Sequence, residues 1–351
     1  MSKVNGRKAA HDRNACVPDG AVRIAVENGP ISDVVADADG GRLLVTNYGG
    51  DSVSVVDPYA FQVIDTIAGL SEPFAIAMGG GRAYVSVATP AYDAIAVIDP
   101  GAGEVVATHP LASRISDLAV SPDGGYVYAG RSGADGADVA IVETATGRVE
   151  EVRLPGPAHT TECVRVSADG ARVYVATNGP AGGQLVVLRA RGAGPRVMNA
   201  IGIGLPIRDV ALSPDGAVAY VASCAPDAGA VVDVVDTRAH KITRTRKVGD
   251  LGGILTGLTV SGDGDRAYVV SDTGITVLCT LTHDVVGTVT ATDRPSRVIE
   301  SPDARRLYVA DYSGAVTVVP VGSAPALVDD DEASPGGLLL PDLTPREPAL
   351  V

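Results

Sequence analysis

His159, Glu162 and Cys163 fall within five consecutive positions, and an imidazole, a carboxyl and a thiol so close together are the types from which a metal site or an acid–base pair is built. Zinc needs three or four such ligands converging at about 2.0–2.3 Å, and the spacing His-x-x-Glu-Cys matches no metal signature. The other histidines, His11, His109, His240 and His283, are scattered. No metal is expected. No cofactor is expected either, since the chain has no C-x-x-C-H haem attachment, no phosphate loop and no G-x-S-x-G nucleophile elbow.

A second set of residues is dispersed along the chain but brought into line by a recurring turn. Asp33, Asp117, Cys163, Asp209, Gly257 and Arg297 stand at one equivalent position upstream of successive Asp-Gly turns, with Phe74 nearby in a shortened copy. The position just before holds Ser32, Ser116, Glu162, Arg208, Thr256 and Ser296. Three Asp and one Glu facing Arg208 and Arg297 make a mixed-charge ring. Such a ring has two readings: charges that pair across neighbouring repeats, or a site for a small polar ligand or cation.

The elements that must position these residues follow from the repeat itself. An apolar strand ending in Ser-Pro-Asp-Gly, as at Ser121 to Gly124 and Ser213 to Gly216, is followed by a Tyr-Val strand. The Tyr-Val pairs are Tyr84-Val85, Tyr126-Val127, Tyr174-Val175, Tyr220-Val221, Tyr268-Val269 and Tyr308-Val309, with Leu44-Val45 in the first copy. From Asp39 to Asp303 six intervals average 44 residues, the length of one four-stranded propeller blade. The Asp-Gly turn supplies the positive φ that a tight hairpin requires. A third strand such as Val53 to Asp57 and a fourth such as Val63 to Ile67 complete each unit, and no copy carries a helical period. The last copy, from Pro295, runs only three strands. Ala21 to Val26 has the form of the missing fourth, so the chain reads as an all-β, seven-bladed propeller of four-stranded antiparallel blades closed by its N-terminal strand. A six-bladed ring would leave the terminal segments unpaired.

With its Ser-Pro-Asp-Gly turns, Tyr-Val strands and third strands reading Val97-Ile98-Asp99 and Val234-Val235-Asp236, the chain resembles the YVTN-repeat propellers, the YncE-like and surface-layer proteins. The likeness covers residues 19–320. It implies a fold, while function in such propellers ranges over binding platforms, enzyme subunits and lactonases. The lactonase resemblance implies an acid, a base and an electrophile in the channel, for which His159, Glu162 and Arg297 are the catalytic candidates. No family motif matches them residue by residue.

Composition excludes other classes. The 28 basic and 42 acidic residues leave a net charge of −14, and the pI is about 4.7, so nucleic acid and anionic membranes are not expected partners. No run is long and apolar enough to insert in a membrane. The four cysteines make no C-x-x-C pair and read as reduced structural thiols, and residues 1–18 form a polar arm without the apolar core of a signal peptide. A cytoplasmic monomer is the expectation, with an envelope-associated or exported protein as the alternative if the true start lies upstream. Residues 321–351 leave the repeat. They hold Asp329, Asp330, Asp331 and Glu332 among dense Pro and Gly, and read as an acidic, disordered tail whose Leu338 to Leu340 run offers a docking motif.

In a propeller the loops leading into first strands and those joining second to third strands share the channel mouth, and function belongs there by default. Those loops add Asn47, Tyr48, Tyr92, Arg131, Asn178, Asp272, Asp311 and Tyr312 to Asp33, Phe74, Asp117, Glu162, Arg208, Asp209 and Arg297 as ligand-binding candidates. Tyr among Asn and Gly suits adaptable recognition, although Asn, Asp and Gly are also ordinary turn formers. The function expected is a non-catalytic platform binding a protein, peptide or small polar molecule. The alternative is a lactonase-type hydrolase acting on a small polar cyclic ester.

Overall fold

The computed structural model describes residues 20–112, 114–133, 136–156, 160–190, 194–249, 254–292, 294–324 and 339–341. Among them, seven four-stranded antiparallel sheets follow one another around a ring. Blade 1 spans residues 31–68, blade 2 76–111, blade 3 114–153, blade 4 160–202, blade 5 207–249 and blade 6 255–289. Blade 7 takes three strands from residues 295–320, and Val22–Ala25 pairs antiparallel with its third strand, Val22 opposite Val318 and Ala25 opposite Ala315. The two ends of the propeller chain therefore share one sheet, and Ile24, almost fully buried, completes the last apolar seam. The one helical segment among the described residues is the single turn Tyr48–Gly50, and none of their helices is long and apolar enough to cross a membrane.

The core lies between blades. Each apolar cluster is shared by two neighbours: Leu44 of blade 1 packs with Ile76 and Val85 of blade 2, while adjacent Leu43 packs with Tyr308 of blade 7. Because both faces of a blade are covered, middle strands read as continuous apolar runs instead of alternating ones. Outer strands alternate or are largely exposed, as in Gln62–Ala68.

The recurring turn explains itself chemically. Ser121, Ser167, Ser261 and Ser301 each donate a hydroxyl hydrogen bond to the Asp two residues on, at 2.5–2.6 Å, and accept the N–H five residues on, at 2.9–3.0 Å. The Asp in turn accepts an N–H two residues further, as Asp123 does from Gly125. Gly124 takes φ +70° and donates to the Ser121 carbonyl, which only a residue without Cβ does freely. Blade 1 departs from this, with Asp37 where the serine stands.

One register differs from the sequence reading. In blade 3 the residue equivalent to Tyr174, Tyr220, Tyr268 and Tyr308 is Tyr128, which is fully buried opposite Ala119, and not Tyr126. Both tyrosines lie on one strand two residues apart, so they point to the same face and alternation could not separate them.

The arm 1–18 lies outside the described residues, as does most of the tail. Of the tail, Gly322–Ala324 and Leu339–Pro341 pair as a short parallel ladder, the latter lying beside the fourth strand of blade 6, Val285–Val289.

Candidate functional site

Six first strands carry the same irregularity at their leading end. The register against the second strand slips between Ile31 and Val34, Ile115 and Asp117, Thr161 and Cys163, Ile207 and Asp209, Leu255 and Gly257, and Pro295 and Arg297. This β-bulge turns one extra residue toward the channel mouth and the next one inward. The two positions aligned from sequence are the two halves of that bulge.

The outward half divides by side chain. Three of the four small hydroxyls fasten to the following blade, Ser32 to the Phe74 carbonyl at 3.0 Å, Ser116 to the Thr161 hydroxyl at 2.5 Å, and Thr256 to the Pro295 carbonyl at 3.2 Å, while Ser296 is buried with no such bond among the described residues. Phe74, Glu162 and Arg208, too large for that, line the mouth instead. Phe74 is 49% exposed, and Arg208 makes no ion pair among the described residues.

The inward half forms a closed charge network. Asp33, Asp117 and Asp209 are buried in blades 1, 3 and 5, and each accepts an N–H from the following blade: Ile76 at 3.0 Å, Val164 at 2.9 Å and Leu258 at 2.8 Å. Two guanidinium groups link the three carboxylates. Arg165 donates to Asp117 at 2.6 Å and Asp209 at 2.5 Å. Arg297 donates to Asp33 at 3.1 Å and Asp209 at 2.6 Å. Asp209, gripped from both sides, feels burial pushing its carboxyl up, but Arg165, Arg297 and two N–H groups outweigh burial and leave it below the ordinary range. Burial prevails at Asp33 over the single Arg297, with Asp117 adding to it, and lifts that carboxyl above the ordinary range. Burial also lifts the Cys163 thiol well above its usual range, so it stays protonated.

Above this network opens a depression of about 1030 Å³; of the ligand-binding candidates, Tyr48, Phe74, Tyr92, Glu162, Arg208, Arg297 and Tyr312 line it. The others are placed elsewhere. Asp33, Asp117 and Asp209 belong to the buried network. Asn47 is fully buried, its amide nitrogen donating to Ser52 and Ser54, and so it stabilises its own hairpin. Asn178 clamps the Ile207 backbone at 2.8 and 2.9 Å, joining blades 4 and 5. Asp272 accepts the Ile254 N–H, and Asp311 accepts those of Ser313 and Ala315. Arg131, almost fully buried, spans three strands of blade 3 by pairing with Asp138 and Glu151. The polar atoms of these loops thus serve backbone groups and structural pairs.

Of the acid–base candidates, His159 lies outside the described residues. Glu162 accepts the Thr160 hydroxyl at 2.7 Å, and Arg297 is engaged by two aspartates. Among the described residues no three His, Cys, Asp or Glu gather closely enough to hold a metal ion. Three features of the site were missed. Arg165 occupies the strand position where the other copies have Val35, Ala77, Ala119, Ala211, Thr259 and Ile299, and a lone charge in that column was the available signal. Arg114 and Ile254 also line the mouth, Ile254 being 63% exposed.

The comparisons with known proteins agree on the architecture. No family model matches the chain. The chain is 49% identical, over 362 aligned positions and 92% of both chains, to the seven-bladed beta-propeller protein Rv1057 of Mycobacterium tuberculosis. A seven-bladed beta-propeller protein of Mycolicibacterium smegmatis is 40% identical over 54 residues, 15% of each chain. Among solved structures, Kuenenia stuttgartiensis hydrazine synthase superposes with a TM-score of 0.70 at 21% identity, covering 84% of this chain and 96% of that one, a likeness of fold. With seven closed blades and a full-length relative at that identity, the chain belongs to the seven-bladed beta-propeller proteins.

Proposed function

We propose that the protein is a non-catalytic binding platform whose channel mouth takes a peptide or protein segment. The observation that carries this reading is the apolar rim: Tyr48, Phe74, Tyr92, Ile254 and Tyr312, on blades 1, 2, 6 and 7 and their lead-in loops, are each 36–63% exposed around one depression. Large side chains with few rotatable bonds, left in water on a rigid frame, offer contact area at small ordering cost. Tyr48 and Phe74 stand edge to face at 6.4 Å, and Arg294 lies 5.7 Å over the Tyr312 ring, so part of the rim is already ordered. The charged groups beneath are engaged with one another, which leaves recognition to the rim and to Arg208, Arg114 and Glu162.

Selection of a displayed peptide library against the full chain, with Phe74→Ser/Tyr92→Ser as counter-target, tests this. Peptides that bind the parent and lose binding to the variant support the platform. Peptides indifferent to it but lost on Tyr59→Ser/Phe61→Ser, on the opposite face, would overturn the placement. Turnover of a lactone panel by the parent, abolished by Glu162→Gln, would replace the platform by the hydrolase.

A further inference from the structure

Each blade ends on an outer strand, and one of these is unlike the rest. Lys241–Gly249 of blade 5, sequence KITRTRKVG, carries four basic residues and no acid. The outer strands of the other blades, Gln62–Ala68, Glu104–Leu111, Val149–Arg153, Arg196–Gly202, Val285–Val289 and Val22–Ala25, carry a net charge of at most one of either sign. At nine residues it is also the longest strand described, and all positions from Lys241 to Lys247 are exposed. This concentration of positive charge stands in a chain of net charge −14.

The strand is held in place from one side. Thr243 donates to the Val234 carbonyl at 3.0 Å and Thr245 to the Asp233 carboxylate, both on the third strand. Arg244 donates to the Thr282 carbonyl at 2.9 Å and Arg246 pairs with Asp284 at 3.0 Å, pinning both against blade 6. Lys241 and Lys247, flanking them, make no ion pair among the described residues. On the far side the sheet ends, with no described strand beyond.

Basic residues on an edge guard against unwanted pairing, yet none of the other six outer strands carries more than one of them. At physiological ionic strength charges beyond about 8 Å are screened, so an approaching chain meets the four cations of this strand, offset locally by Asp284 on Arg246, and not the acids elsewhere on the chain. An edge offers an extended segment a row of backbone donors and acceptors, and here the flanking charge selects that segment's sign. We propose that Lys241–Gly249 is a docking edge that takes an acidic, extended segment of a partner protein as a fifth strand of blade 5. Nucleic acid fits less well, because the strand has no aromatic platform for bases and Ile242 is its one exposed apolar side chain.

The test titrates the full chain into a labelled peptide of about eight alternating Glu and Val residues, followed by anisotropy at about 50 and 200 mM salt. Three controls accompany it: the Lys/Val counterpart, the acidic peptide with two central prolines, and a single-stranded oligonucleotide of equal charge. The acidic peptide is expected to bind with an affinity that falls with salt, and roughly tenfold more weakly when proline-interrupted or when Lys241→Glu/Lys247→Glu replaces the parent. Neither lysine makes an ion pair among the described residues, so the variant should melt as the parent does; if it does not, Lys241→Gln/Lys247→Gln takes its place. No binding of the acidic peptide, equal binding of the proline-interrupted peptide, tighter binding of the oligonucleotide, or loss of binding on Phe74→Ser instead of the lysine changes would each overturn the proposal.

Discussion

Arg297 of blade 7 donates to Asp209 of blade 5 at 2.6 Å, and it does so across the blade between them, where Gly257 leaves room. A Cβ on Gly257 would lie 3.2 Å from the nearer guanidinium nitrogen and 3.5 Å from Cδ. Gly257 is therefore part of the charge network although it carries no charge: its missing side chain is the passage through which two non-adjacent blades are tied. The network holds three aspartates against two arginines, and Asp209, bonded to both arginines, is the carboxylate that joins its two halves.

Removing Arg297 leaves Asp209 with Arg165 and two N–H groups, and Asp33 with N–H groups alone. Arg297→Ala is expected to cost on the order of 3 kcal/mol, the lower end of the range for breaking a buried pair. Arg208→Ala, one residue before Asp209 but exposed and without an ion pair among the described residues, should stay within about 0.5 kcal/mol. Urea unfolding of the two variants checks this contrast. Gly257→Ala should destabilise the parent but have little further effect on Arg297→Ala, since the clash disappears with the arginine.

Acid titration should separate the two ends of the network. The Asp209 carboxyl is held low, so its stabilisation is present above its unfolded pKa, near 3.9, and is lost as pH falls through the lower folded value. The Asp33 carboxyl is held high, so the native state takes up its proton first and this group's contribution increases on acidification between the folded and unfolded values. Stability measured from pH 7 to 3.5 should therefore lose its mild acid-side gain in Asp33→Asn and keep it in Asp209→Asn. Identical slopes in both variants would contradict the assignment.

The turns allow a comparison within one chain. Ser121→Ala removes a donor to Asp123 and an acceptor for Tyr126, and should cost about 1–2 kcal/mol by denaturant unfolding. Blade 1 has Asp37 at this place, hydrogen-bonded to Asp39; burial, together with the Asp39 carboxyl, lifts Asp37 above the ordinary range against the Arg42 N–H. That contribution is favourable below the folded pKa and lost as pH rises through it, because an ionised Asp37 has no proton to donate. Asp37→Ser should raise the melting temperature at neutral pH, with the gain shrinking toward pH 4.

The fold was legible because its signals repeat. The serine turn recurs with the same chemistry, and the Tyr positions return at a fixed distance from it, so even a divergent copy such as blade 2 is carried by its neighbours. The bulge positions were legible for the same reason. Their roles were not, because burial is decided by contacts between blades: Asp33 and Asp209 look in sequence like Glu162 and Arg208, and only the inward or outward half of the bulge separates them. Arg165 lies two residues beyond the bulge, in a column of otherwise uncharged residues, and only its long side chain reaching Asp117 and Asp209 brings it into the network. Asn47, Asn178, Asp272 and Asp311 carry the residue types of a binding loop, and those types serve equally to cap backbone groups.

Closure gives the most direct test of the architecture. Val22–Ala25 covers the third strand of blade 7 over four residue pairs, and Ile24 and Val26 enter the seam with blade 1 alongside Val316 and Val318. Deleting residues 1–29 would expose that strand's edge and empty part of the seam at the one point where the ring is closed by non-consecutive chain segments. The expected outcome is a lower, broader melting transition with aggregation. Ile24→Asp, which keeps the strand but places a charge in the seam, should cost about 3–5 kcal/mol through the same contacts. Adding a synthetic peptide of residues 19–30 to the deleted chain should restore part of the lost stability, with the midpoint rising as peptide is added. A deleted chain that melts as the parent does would mean that six blades and an open seventh are stable without the strand, and that the observed pairing contributes nothing to closure.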